Sequence, residues 1–288
     1  MRGGKVKTTM GLYTDVQDME FLHTFALLPQ SVYPLDLRGG TIAHTGGDIY
    51  GSIPVKRWGS LNYTAYYGLQ PVDKTGGYYL NNADSGTPIS KYSETLAGGD
   101  IRWSNGLPGL TFGFSYLKQD ETTDGHVKLP FGLMPYHLPT QDEHTTAYYF
   151  DYAPGKWHFS GEGRRRYGLL SLTMMGQSSD LNVSDHEWFV TGAYRINKRV
   201  EVGAYESRYA SDFVKSGVGN TNPAMQHITD HTVAVRFDLT RYWNLKVEGH
   251  FMDGYGDPYS ARGFYLRDNP AGLQPATNML LVRTGFNF

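Results

Sequence analysis

An all-β fold, an antiparallel up-and-down barrel crossing a membrane, is predicted by three features of this sequence. Period-2 alternation of apolar and polar residues recurs from end to end, while helical periodicity is almost absent. The connections between alternating segments are by turns short and long, as when tight turns stay on the periplasmic side and longer loops face outside. Each well-defined segment has one apolar and one charged face, with aromatic residues gathered near its ends.

Twelve strands are expected, at 3–10, 41–54, 60–70, 93–104, 110–119, 144–153, 157–167, 186–196, 199–211, 228–239, 243–252 and 278–288. Short connections follow the second, fourth, sixth, eighth and tenth of these, at 55–59, 105–109, 154–156, 197–198 and 240–242. The intervening connections are long and rich in Gly, Asp, Asn and Pro, among them 125–142 and 253–277. A soluble sandwich has no reason to keep its long loops at one end. In the tenth strand Val233, Val235, Phe237 and Leu239 share one side, and Ala234, Arg236 and Asp238 the other. In the eleventh, Trp243, Leu245, Val247 and Phe251 oppose Asn244, Lys246, Glu248 and His250. Trp58, Trp103, Trp157, Tyr194, Tyr242 and Trp243 all lie beside short turns, where an interfacial girdle belongs. The run Arg164-Arg165-Arg166 tests the scheme. Alternation sends Arg164 and Arg166 inward and Arg165 toward lipid, near the outer boundary, where a lipid-facing Arg costs little.

Composition narrows the function. The chain has 288 residues, with 26 Lys plus Arg against 28 Asp plus Glu, so no basic excess favours a nucleic-acid partner. Cys is absent, which excludes disulfides, thiolate catalysis and cysteine metal sites. A mean hydropathy of −0.45 and apolar runs of no more than four residues exclude helical membrane spans, which need about 20 apolar residues. No linker or charge block divides the chain, so residues 1–288 are expected to form a single barrel domain. Met1–Lys7 has no apolar core, so no export signal is expected within this chain.

The C-terminal run Leu281-Val282-Arg283-Thr284-Gly285-Phe286-Asn287-Phe288 alternates and ends in Phe. It resembles the last strand of Gram-negative outer-membrane proteins, which implies that Phe286 and Phe288 belong to the signal read by the barrel-assembly machinery. Residues 243–254 resemble the penultimate strand of sixteen-stranded porins of the phosphate-selective porin O/P group. Gly4-Lys5-Val6-Lys7-Thr8-Thr9-Met10-Gly11-Leu12-Tyr13 is similar to the strand preceding their inward-folded constriction loop. The resemblance covers the whole chain in layout but rests on short segments. It implies an outer-membrane location, lipid and lipopolysaccharide as surroundings, a homotrimer, and residues 13–39 as the constriction loop. It also carries a departure: in those porins the loop follows the fifth strand, here the first. Either twelve strands close on themselves or a further piece completes the barrel, because lipid tolerates no open edge. Twelve strands give a backbone radius of about 12 Å and sixteen about 16 Å, wide enough in both cases for water.

The candidate loop carries Asp15, Asp18, Glu20, Asp36 and Arg38, with Phe21, Phe25, Leu27, Leu28 and Val32 as an apolar anchor. The opposing wall is expected to present Lys5, Lys7, Arg102, Arg164, Arg166, Arg195, Arg236, Lys246 and Arg283. An acidic loop facing a basic wall sets a transverse field, and rings of Arg or Lys favour anions. Asp48, Asp100, Asp151, Glu162, Asp238 and Glu248 lie on the same wall and moderate that lean. No nucleophile elbow, phosphate loop, zinc-protease or EF-hand pattern occurs, and no cofactor or metal is expected. Twelve strands also fit an outer-membrane phospholipase, but none of that family's active-site segments can be found. A surface receptor or adhesive barrel remains as a third class, favoured if residues 13–39 project outward. The expectation is therefore a passive outer-membrane porin for small hydrophilic solutes, without enzymatic activity.

Overall fold

Strand pairing shows how this alternation is used. The computed structural model describes residues 1–14, 16–70, 72–84, 86–104, 107–212, 223–256 and 274–287. Twelve strands form one sheet in sequence order, each antiparallel to the next. They are β1 (Arg2–Lys7), β2 (Ala43–Pro54), β3 (Ser60–Leu69), β4 (Ile89–Ser104), β5 (Leu110–Leu129) and β6 (Gly132–Tyr152). They continue as β7 (Trp157–Met174), β8 (Gln177–Arg195), β9 (Val200–Ser211), β10 (His227–Thr240), β11 (Trp243–Gly254) and β12 (Ala276–Phe286). Among the described residues no ladder joins β1 to β12, so the sheet is not closed. Two short helices, α1 (Arg38–Thr41) and α2 (Gly77–Asp84), interrupt the connections. Among the described residues no helix is long and apolar enough to cross a membrane.

All twelve expected strands are present, but two of the long connections are not loops. β5 and β6 run on above the expected ends and meet at a two-residue turn, with Leu129 paired to Gly132. β7 and β8 do the same, with Met174 paired to Gln177. Met175 (φ 52°) and Gly176 (φ 74°) make that turn, both left-handed as a type I′ hairpin requires. Above the membrane the outer face of a hairpin meets water in place of lipid and need not be apolar, so the alternation fades although Thr123, Tyr136, Leu181 and Val183 stay buried on the inner side.

Directly opposed residues share a face, so the register sorts inside from outside. One row reads Thr64, Asp100, Ser115, Ala147, Arg164, Glu187 and Tyr209 across β3 to β9. This face is polar and covered: Asp100, Ser115, Glu162, Lys246, Glu248 and His250 are all buried. The other face is apolar and open, with Ile101, Phe112, Val190, Val233, Phe251 and Val282 exposed. A water-soluble barrel would reverse this arrangement; apolar outside and polar inside suits lipid. At the short-turn end Trp157 lies against Tyr194 (4.6 Å between ring centroids), Trp103 stacks on Phe112 and Trp243 stacks on Phe286. These rings form a band at the membrane interface.

Candidate site: a polar lumen holding the first connection

The segment between β1 and β2 folds onto the inner face of the sheet. Its first contact is made by residues 10–14 and 31–33. Gly11 N–H donates to Ser115 Oγ (2.9 Å) and Leu12 N–H to Glu162 Oε2 (2.8 Å). Arg164 donates to the carbonyls of Val32 (2.9 Å) and Met10 (3.2 Å), and Arg102 to that of Gly11 (3.2 Å). Tyr33 donates its hydroxyl to Glu162, and Phe189 stacks under Tyr13 at 5.7 Å. Gly11 has φ +86°, and a Cβ there would fall 2.2 Å from Glu162 Oε1. Only glycine meets both demands.

The second contact is made by residues 20–27. Arg236, Lys246 and Arg283 lie in one register row across β10, β11 and β12. Like charges directly opposed destabilise a sheet unless something neutralises them. Here loop carbonyls do so. Lys246 Nζ donates to Glu20 O (2.6 Å) and Phe25 O (2.9 Å), Arg236 to His23 O (2.9 Å), and Arg283 to Ala26 O (2.8 Å). Glu248, one residue pair higher, accepts from the N–H groups of Ala26 (2.9 Å) and Leu27 (3.2 Å). Phe25 meets Tyr205 edge to face at 5.0 Å, the apolar side of the same contact. His23 lies close to Lys246 and Arg236. Burial, and then those charges, bring its pKa down to about 4, against the hydrogen bond to Val16 O.

The expected site residues therefore separate into groups. Asp18 pairs with Lys7 (2.6 Å), which holds its carboxyl below the ordinary range, and Glu20 pairs with Arg283 and Arg38. Asp15 and Phe288 lie outside the described residues, as does the side chain of Asp36. Arg102, Arg164, Arg236, Lys246 and Arg283 hold the loop's backbone, a role that alternation alone does not suggest. Arg195 bridges Glu201 and Asp238, both at 2.5 Å. Arg166 pairs with Glu143 (2.7 Å) and approaches Asp185 (3.5 Å). Lys5 is a correction. It is opposite Thr45, which is opposite Leu69, on the face that carries exposed Tyr67. That is the outward face. Lys7 has the same parity, although its Nζ reaches the loop at Asp18.

Beside the docked segment a cavity of about 460 Å³ stays open toward β4–β8. Six carboxylates line it, Asp73, Glu94, Glu121, Glu143, Asp185 and Glu187, against the two guanidinium groups of Arg164 and Arg166. Tyr78 of α2 donates to Glu121 (2.8 Å) and stands edge-on to Tyr92 at 5.3 Å, so the third connection also enters this space. Sequence reading passed over these carboxylates. The inner-face parity set by Asp100 and Ser115 leads to Glu94 along β4, and the ladder rows then carry it across β6–β8. Among the described residues no His and acidic cluster has metal-binding geometry.

No family model matches the chain, and neither does any curated protein. Solved structures do. The outer-membrane expressed OmpT of Vibrio cholerae superposes with a TM-score of 0.57 at 12% identity, over 99% of this chain and 76% of that one. OmpT of the same organism, folded in vitro and in its trimer form, gives 0.55 at 13% identity over the same shares. Its loop L8 deletion mutant gives 0.50 at 13% identity, over 98% and 74%. At such identities the likeness is one of fold. Together with a polar inner face and an apolar outer one, it makes the chain a β-barrel of the bacterial outer membrane.

Proposed function

We propose that the protein is a passive porin whose lumen is narrowed by residues 13–39 and admits small hydrophilic solutes. The observation that carries this reading is the seat of that segment on Arg236, Lys246 and Arg283, beside a polar cavity of about 460 Å³. A receptor or adhesive barrel has no use for a connection tied to its inner wall at both ends, and the reading includes no catalytic step. The open side of the lumen has six carboxylates against two guanidinium groups, which favours cations over anions. Most of the cations that suggest anion preference in the sequence are bonded to the loop, and Arg166 and Arg195 are paired with carboxylates of the wall. Phosphate selectivity is accordingly no part of the proposal. The porin O/P resemblance contributes only the idea of an inward loop. Trimerisation joins the proposal on that resemblance and on the trimer form of the Vibrio cholerae protein.

The test is single-channel recording in planar bilayers under a salt gradient. Discrete conductance steps with a cation-selective reversal potential are expected, and Glu121→Gln with Glu143→Gln should move that potential toward zero. Silence from folded, heat-modifiable protein overturns the porin reading, and an anion-selective potential overturns the charge assignment.

A further inference from the structure

Charged residues on the outward wall are costly unless they sit at an interface. Arg165 of β7 and His186 of β8 are directly opposed on that wall, and both are exposed. Arg208 of β9, also exposed, is opposite Trp188, one register row nearer the membrane centre. Arg165 lies eight residues beyond Trp157 of the lower aromatic band. At ~3.3 Å per residue and ~40° tilt that places it about 20 Å higher, near the top of an apolar band about 25 Å tall. Tyr167, under the Arg165 guanidinium at 4.3 Å, and Trp188 mark the same level. The short turns are periplasmic, so this is the outer leaflet.

Among the described residues no carboxylate pairs with Arg165, His186 or Arg208. Acids on this wall have contacts of their own: Asp212, one row above His186, is engaged elsewhere, Glu206 faces His231 (3.9 Å) and Asp253 faces His227 (3.2 Å). Below the cations the wall is thin. A Cβ on Gly163 would meet nothing within 4 Å, and one on Gly192 only the ring of Phe159. Bare backbone at Gly163, beside Trp188, and again at Gly192, beside Phe159, leaves two shallow apolar gaps below the cations, with the Phe150 ring over Gly161 and the Val190 side chain between them. A ligand that satisfies both parts must carry an anion at headgroup height and an acyl chain beneath it.

We propose that Arg165, His186 and Arg208 bind a phosphate group of lipopolysaccharide, with one of its acyl chains lying over Gly163 and Gly192. Arginine suits the task because its planar fork donates two parallel hydrogen bonds to phosphate oxygens. The site gives the barrel a fixed contact with the outer leaflet, on the face of the wall turned away from the lumen.

The full-length protein in detergent micelles, titrated with bisphosphorylated lipid A and followed by native mass spectrometry, tests this. Lipid A should bind at least about tenfold more tightly than its dephosphorylated form, the difference expected of charge-assisted bonds. Arg165→Gln with Arg208→Gln should abolish that difference. Arg241→Gln, at the periplasmic rim, should leave it intact. Equal affinity of the unaltered protein for both lipids overturns the proposal, a measurement that needs no variant to fold. It is equally overturned if the double variant still discriminates, or if it breaks an oligomer without changing lipid binding, since the patch would then be a subunit contact.

Discussion

The two sides of the lumen carry similar residues and use them differently. On the β10–β12 side Arg236, Lys246, Arg283 and Glu248 bond to the backbone of residues 20–27, and Lys246 and Glu248 are buried beneath it. On the β4–β8 side Arg166 pairs with Glu143, and Glu121 and Glu187 border an open cavity. An ionisable group on a pore wall is therefore not automatically a selectivity residue. Whether it meets the solute or a loop carbonyl decides whether its removal alters stability or current.

Breaking the anchored side should have the largest effect. Lys246→Met removes the donor shared by Glu20 O and Phe25 O and leaves Glu248 without its adjacent cation. Removing one partner of a buried charge network costs roughly 3–5 kcal/mol. The expected results are a lower urea midpoint in detergent and a higher single-channel conductance as the segment leaves its seat. Glu121→Gln on the open side should change current and leave the midpoint nearly unmoved. If Lys246→Met leaves both readings unchanged, the anchored side is no anchor.

The other end of the segment is sensitive to backbone shape. Gly11→Ala must place a methyl group against Glu162 at a left-handed φ. Strain of this kind costs about 1–3 kcal/mol. Thermal unfolding should begin earlier and open-channel noise should rise, by less than in Lys246→Met because Arg164 still holds Val32 and Met10.

A smaller, graded effect comes from acid. His23 lies within the second contact, facing Glu20, Lys246, Arg236 and the ring of Tyr13, with a pKa near 4 in place of about 6.5. The undocked segment therefore takes up a proton at a pH where the docked one does not. Docking weakens as pH falls from about 6.5 to about 4 and changes no further below that on this group's account. Asp18 adds a weak loss at lower pH, because its carboxylate favours the docked state only while ionised and it is partly exposed. Channel flicker should increase across the first window, and His23→Gln should flatten that dependence.

Much of this was legible in the chain. Strands flanked by lipid and by the lumen must alternate, so β9–β12 could be traced residue by residue. The upper halves of β5–β8 could not, since an outer face that meets water in place of lipid need not be apolar. The inward segment was marked by Phe21, Phe25 and Val32 among its charges. Its partners were not, because backbone carbonyls leave no trace in a sequence, and no local pattern shows that Arg236, Lys246 and Arg283 share one row. The strand carboxylates of the open side went unnoticed because they lie at or beyond the upper ends of the expected strands: Glu94 and Glu187 just inside them, Glu143 and Asp185 just outside, and Glu121 beyond.

The smallest effect is expected at Lys5, where the parity of a short strand decides the answer. Gly3 and Gly4 have no side chains to reveal a face, so charge alone argues for the lumen. The ladder argues otherwise: Val6 is opposite His44, which stacks on inward Tyr66 at 5.2 Å, and Lys5 is thereby turned toward the exposed side of Tyr67. An outward charge near the rim is separated from the permeating ion by the wall and screened by salt within about 10 Å at 0.1 M. Lys5→Glu should leave the reversal potential where it was, whereas the same reversal at Arg166, beside the cavity, should shift it further toward cations. A shift at Lys5 comparable to that at Arg166 would mean that β1 presents its other face to the lumen, and that the inner row begins with Lys5 rather than Val6.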